Sequence, residues 1–173
     1  EARAELERWR EAARSIAEGE LPEWVERRME RAGGSAEGGG GEESAEGRPY
    51  GANGTWGRLE VRVGRNSRDN DRLTLGHSRP NDVWLHARSV PGSHVILRWN
   101  DLESAPPARD LEEAATLAAL YSKARTSGLV PVDWTRRKHV RKPRGAPPGA
   151  VIPQQVKTLF VEPDPRVEER MRE

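Results

Sequence analysis

Residues 81–98 read NDVWLHARSVPGSHVILR, and their interpretation decides the fold. Val83, Leu85 and Ala87 alternate with Trp84, His86 and Arg88, the period-2 pattern of a strand. Pro91-Gly92 marks a turn, and Val95-Ile96-Leu97 returns as a second strand, so the stretch is an antiparallel hairpin. Val83, Leu85 and Ala87 form its core face. The face with Asp82, Trp84, His86 and Arg88 has two readings. It is a surface for stacking on bases and bonding phosphates, or a cross-strand cluster with Trp84 covering apolar neighbours. Register decides where the histidines meet. A two-residue Pro91-Gly92 loop sets His86 opposite Leu97 and His94 opposite Ser89, on opposite faces. One more loop residue or a bulge brings them to the same face, and Pro-Gly suits the two-residue hairpin turn poorly. An acid–base or metal site needs His86 and His94 to converge with Asp82, and these three lack the spacing of a ligand set.

Outward from the hairpin, Leu59, Val61 and Val63 alternate with charged residues as a strand. The segment VGRNSRDNDRLTL, 63–75, is expected to give a Gly-Asn-Asp turn and then a strand through Leu73-Thr74-Leu75. With a strand following, its lone Gly64 makes a poor phosphate cradle for a nucleoside triphosphate. Arg65 and Asn66 remain candidates there for reaching an RNA phosphate. After Pro106-Pro107, Asp110 with Glu113 resembles a capping box. It opens a helix bearing Leu111, Ala114, Ala115, Ala118 and Tyr121, closed by Gly128. LVPVDW is a further strand, and AVIPQQVKTLFVEP is a final pair of short strands. The fold class is therefore α+β, a largely antiparallel sheet with one main helix. A short helical segment over 1–32 precedes it, with Leu6, Trp9, Ala13 and Ile16 at helical spacing. A Gly/Glu-rich linker over 33–48 separates that segment from a domain at 49–165, and 166–173 read as a charged tail.

The chain has 173 residues, 34% hydrophobic and 33% charged, with no cysteine. A disulfide framework and a thiolate zinc site are thereby excluded. No apolar run approaches the roughly 20 residues that span a bilayer, so no membrane partner is expected, and the protein reads as cytoplasmic. Because it begins at Glu1, the sequence is expected to be a piece of a longer protein. The net charge of +1 conceals an asymmetry, since residues 49–161 hold eighteen Lys or Arg against ten Asp or Glu. A basic body with acidic ends points to a polyanionic partner. The clearest signal is Arg136, Arg137, Lys138, Arg141, Lys142 and Arg144, with His139 among them and no acid between Trp134 and Val161. Clustered like charges repel, and a polyanion relieves that repulsion while releasing counterions. A localisation or solubility patch is the plainer alternative.

VGRNSRDNDRLTL, NDVWLHARSVPGSHVIL, LEEAATLAALYSKARTSGLVPVDWT and KHVRKPRGAPPGAV, in that order over residues 56–163, resemble the NFACT-R domain. That is the C-terminal RNA-binding domain of the NEMF/RqcH family, and residues 1–32 resemble the close of its coiled-coil module. The resemblance implies a binding and adaptor role in ribosome-associated quality control, with no catalytic residues, cofactor or metal. Such proteins bind large ribosomal subunits carrying stalled peptidyl-tRNA and support C-terminal tailing, with alanine in bacteria, while the ribosome forms the peptide bonds. The implied partners are RNA (tRNA and large-subunit rRNA), the stalled large subunit and the parent protein's remaining domains. On this resemblance His86, Arg88, Ser93 and His94 build the nucleic-acid face. Lys123 and Arg125 at the helix end join it, and Lys138 to Arg144 form a phosphate-contacting rim. Trp84 fits either core or stacking platform. A stand-alone nucleic-acid-binding module of the same fold is the alternative, followed by a His-dependent metal hydrolase.

Overall fold

The computed structural model describes residues 48–101 and 103–172. The expected helical segment at 1–32 and almost all of the linker lie outside the described residues.

Eight strands and three helices follow in the order β1 (Tyr50–Gly54), β2 (Glu60–Gly64), α1 (Ser67–Gly76), β3 (Val83–Ala87), β4 (Val95–Leu97) and α2 (Ala108–Leu120). Then come β5 (Val130–Arg136), a 3-10 turn (Arg137–His139), β6 (Val140–Arg141), β7 (Ile152–Pro153), β8 (Lys157–Val161) and α3 (Pro165–Met171). Six strands form one sheet in the order β1-β2-β4-β3-β5-β8, and every neighbour is antiparallel. β6 and β7 form a separate two-stranded ribbon. This is the α+β architecture expected from the sequence.

The expected strand at Leu73-Thr74-Leu75 is instead part of helix α1. Asn66 caps it, its side-chain oxygen accepting from the Asp69 amide at 2.9 Å. Asn70, Leu73 and Thr74 are buried at the i, i+3, i+4 spacing of one helical face. A three-residue alternation is too short to outweigh a cap followed by a complete turn. The earlier ground for dismissing a phosphate cradle thus falls, since a helix does follow Gly64. Space supplies the better ground: a Cβ on Gly64 would lie 2.0 Å from Asn70 Oδ1, so the glycine's open side is already filled. At α2 the helix starts at Ala108 behind Pro107, ahead of the expected Asp110 cap. Asp110 and Glu113 accept from the Gly57 and Trp56 amides at 2.7 and 2.8 Å, pinning the β1–β2 turn to the helix. Beyond residue 165, where a tail was expected, the chain forms α3 and buries Met171.

One face of the sheet is covered by α2, and the other is covered in part. On one, Val61, Val83, Leu85, Val95, Leu97 and Val132 pack against Leu111, Ala114, Leu117 and Ala118 of α2. On the other, Trp84 and Ile96 join Tyr50, Leu73 and Val140 beneath α1 and the β6–β7 ribbon. Trp84 is 3% exposed, which makes it core.

Two tryptophans test this layering. Trp84→Ala removes a fully enclosed ring and is expected to cost about 3–5 kcal/mol in urea unfolding of the full chain. Trp56, 71% exposed with Arg109 over its ring, is expected to cost under about 1 kcal/mol on the same change.

Candidate nucleic-acid interface

The hairpin pairs Val83 with Leu97, Trp84 with Ile96 and Leu85 with Val95. Continued, this register sets His86 opposite His94, with Arg88 to Ser93 as the connection. The two-residue Pro91-Gly92 loop is therefore replaced by a longer one, and the histidines share a face. Their rings lie 5.7 Å apart edge to face, and Trp84 stacks on His86 at 5.8 Å and meets His94 at 5.4 Å. The long loop is zipped to the end of α2. Ser93 N–H donates to the Tyr121 carbonyl and Lys123 N–H to the Pro91 carbonyl, while Gly92 bridges Ser122. A Cβ at Gly92 would meet Ser122 Cβ at 2.9 Å, so this close approach requires glycine.

His94 is 2% exposed and engaged at both nitrogens. Nε2 lies 3.1 Å from the Gly149 carbonyl, which only accepts, so Nε2 carries the proton. Nδ1 is then the acceptor for the Thr74 hydroxyl at 2.8 Å. Burial first, and then the neighbouring His86, drive its pKa down to about 3, so the ring is neutral. Burial likewise lowers the half-buried His86, against the Gly92 carbonyl and the Asp133 charge. A metal at His94 would have to break both hydrogen bonds, and no cluster of three or more His, Asp or Glu spaced for a metal occurs among the described residues. Asn70 completes the junction, accepting from the His94 amide at 3.0 Å and donating to the Gly92 carbonyl at 3.3 Å. The His94 ring is thus an internal post of this loop, and only the loop's outward side chains are open to solvent.

The basic segment divides in two. Arg136 donates to the Asn81 and Ser104 carbonyls. Arg137 donates to the Thr74 and Val140 carbonyls, and its burial lowers its pKa. Lys142 pairs with Asp71 at 3.0 Å and donates to the Pro147 carbonyl. Lys138, Arg141 and Arg144 are exposed. The segment expected to be a flexible loop is therefore a braced one, with three cations turned inward and three outward.

At the opposite end of the hairpin, Lys123 and Arg125 are exposed, and no ion pair involves either among the described residues. Arg88 is exposed, with Nε 3.6 Å from Asp133 Oδ2. Arg65 is exposed and 3.5 Å from Asp69, while Asn66 is committed to its cap. Arg65 and Ser93 line an open groove of about 460 Å³ with Gly51, Asn53, Tyr121 and Arg172. Tyr121 and Arg172 carry no local signal as groove residues, because their convergence depends on α3 folding back. Asn70 and Thr74 were hidden by the strand reading of their segment. Read as one helical face, they would have stood out as two polar residues beside Leu73.

An antiparallel sheet backed by a helix, with exposed cations concentrated at its loops, is an α+β domain with a basic rim suited to a polyanion. A family model described as the NFACT protein RNA binding domain matches residues 55–154, and the chain belongs to that family. Among curated proteins, it is similar to the Rqc2 homolog RqcH of Bacillus subtilis (strain 168), 46% identical over 106 residues, covering 61% of this chain and 18% of that protein. The Streptococcus suis (strain 05ZYH33) Rqc2 homolog RqcH is 40% identical over 110 residues, covering 63% and 19%. The match thus spans about a fifth of these relatives' length. Among solved structures, the C-terminal part of the fibronectin/fibrinogen-binding protein from Streptococcus suis superposes with a TM-score of 0.68 at 31% identity. That match covers 86% of this chain and 58% of the other.

The buried imidazole sets a pH response. His94 binds a proton near the ordinary histidine value of 6.5 when unfolded but only near 3 when folded. Its contribution is therefore complete above about pH 6.5 and declines as pH falls toward 3, by about 1.4 kcal/mol per pH unit. Urea unfolding from pH 7.5 to 4.5 is expected to show this slope. His94→Gln should start less stable and lose stability less steeply.

Proposed function

We propose that this chain is a non-catalytic RNA-binding module of a ribosome-associated quality control protein, working in the cytoplasm. What carries the reading is the set of exposed cations, Lys123, Arg125, Lys138 and Arg141, without ion pairs among the described residues on a braced scaffold. Exposed like charges held in place gain most when phosphates replace their counterions. The family description and the RqcH relatives support the same conclusion.

In the finer form of the proposal, the module binds tRNA or large-subunit rRNA on stalled large subunits. There it supports alanine tailing of the nascent chain by the parent protein, and the ribosome performs the chemistry. Arg65, Arg88, Lys123, Arg125, Lys138, Arg141 and Arg144 contact phosphate. Ser93 and the backbone beside it fix the orientation of the bound RNA. His86, His94, Arg136, Arg137 and Lys142 act by holding these groups in place.

Affinity for structured RNA is expected to fall with salt, log K against log salt having a slope of about −5 to −6 for about seven phosphate contacts. Lys123→Ala and Arg141→Ala should each reduce that slope by about 1 across all RNAs. Lys142→Ala should leave the slope nearly unchanged and lower stability by up to about 1 kcal/mol, because its charge is spent on Asp71. A flat salt dependence in the unmodified chain would refute the reading.

A further inference from the structure

The β6–β7 ribbon and α1 cover only part of their face of the sheet, and the uncovered part carries an aromatic ring. Phe160 on edge strand β8 is 62% exposed and sits opposite Pro131 on β5. Arg88, immediately after β3, donates its amide to the Pro131 carbonyl at 2.9 Å. Arg88, Pro131 and Phe160 thus form one row across three adjacent strands, each step about 4.8 Å. The next row holds His86, Asp133 and Thr158. Thr158 Oγ1 donates to Asp133 Oδ1 at 2.6 Å, and Asp133 Oδ2 is 3.6 Å from Arg88 Nε. Asp133 thereby tethers the Arg88 guanidinium on the side of the sheet where Phe160 stands. Leu129, 58% exposed, is the remaining apolar neighbour, and the exposed Glu162 lies beyond it on the far side from Arg88.

We propose that Phe160 is a stacking platform for one unpaired nucleobase of a bound RNA, with Arg88 holding the adjoining phosphate. The inference rests on the RNA-binding reading and adds a class of ligand, single-stranded RNA, and a residue for it. A ring standing free on a sheet offers a π face to any base, and stacking is indifferent to sequence. Charge selects the direction of the strand. The phosphate lies toward Arg88, and beyond it toward Lys123, which is bonded to the same hairpin loop through Pro91. Glu162 repels it on the other side. The size of the apolar island favours a base over a protein, because Phe160, Pro131 and Leu129 are bordered by charged and polar side chains. A stable protein contact needs roughly 800 Å² per partner.

The test uses the full chain with a short single-stranded RNA carrying 2-aminopurine, whose fluorescence is quenched on stacking, and a blunt RNA duplex as control. The wild type is expected to quench the probe. Phe160→Ala should abolish the quench and weaken single-strand affinity about five- to a hundredfold, leaving duplex affinity and the salt slope unchanged. Phe160→Tyr should retain the quench. Phe160→Ala matching the wild type on single strands would overturn the platform while leaving the RNA-binding reading intact. Absence of binding to both RNAs would overturn both. Unaltered RNA binding together with self-association lost in Phe160→Ala, read by sedimentation, would reassign the island to a contact between copies.

Discussion

The neutral imidazole of His94 is the post on which the candidate interface stands. One nitrogen accepts a hydrogen bond from the Thr74 hydroxyl of α1, and the other donates to the Gly149 carbonyl in the segment before β7. Three stretches distant in sequence, the helix, the hairpin and the basic segment, therefore meet at one ring. Asn70 repeats the arrangement from the same helix, bonding the His94 amide and the Gly92 carbonyl. A charged imidazole there would be buried beside His86 with no acidic partner, and the Thr74 hydroxyl would have to turn its own hydrogen away to accept the second N–H. Burial and hydrogen bonding thus select one protonation state and one tautomer, and these hold the loop that presents Ser93.

Burying the middle of the sheet on both faces has a consequence for where cations stand. Around β2, β4 and β3 the strand centres are enclosed in apolar side chains, so the exposed cations lie mainly on loops, edges and strand ends. Even there they are sorted by local acceptors. Backbone carbonyls and Asp71 occupy the partly buried Arg136, Arg137 and Lys142, while the exposed Lys138 and Arg141 have no acidic partner among the described residues, Arg141 donating to the Lys138 carbonyl. The density of basic residues between 136 and 144 is therefore only partly a statement about a ligand. Arg137 and Lys142 brace the ribbon segment that covers Trp84, and Arg136 ties β5 to the Asn81 and Ser104 carbonyls.

How much was legible beforehand depended on the range of the interactions involved. Strands β2, β3, β4 and β5 could be read because alternation is local and the core face of each is purely apolar. The hairpin register could not, because the loop from Arg88 to Ser93 is fixed by bonds to Tyr121 and Ser122, about thirty positions away. Helix α1 was misread because its buried face consists of Asn70, Leu73 and Thr74, two polar residues whose partners lie on other elements. Phe160 gave no sign of its exposure. In a short alternating strand at the end of a domain, either face can be the buried one, and only the extent of the β6–β7 ribbon decides.

Helix α3 leaves edge strand β8 and packs against α2 and β1, the strand at the other edge of the sheet. The Met171 carbonyl comes within 4.0 Å of the Cβ position at Gly54. The end of α3 therefore lies beside the end of β1, like the two pins of a plug. Tension applied between β1 and α3 would peel one from the other and would not be transmitted through the hairpin loop.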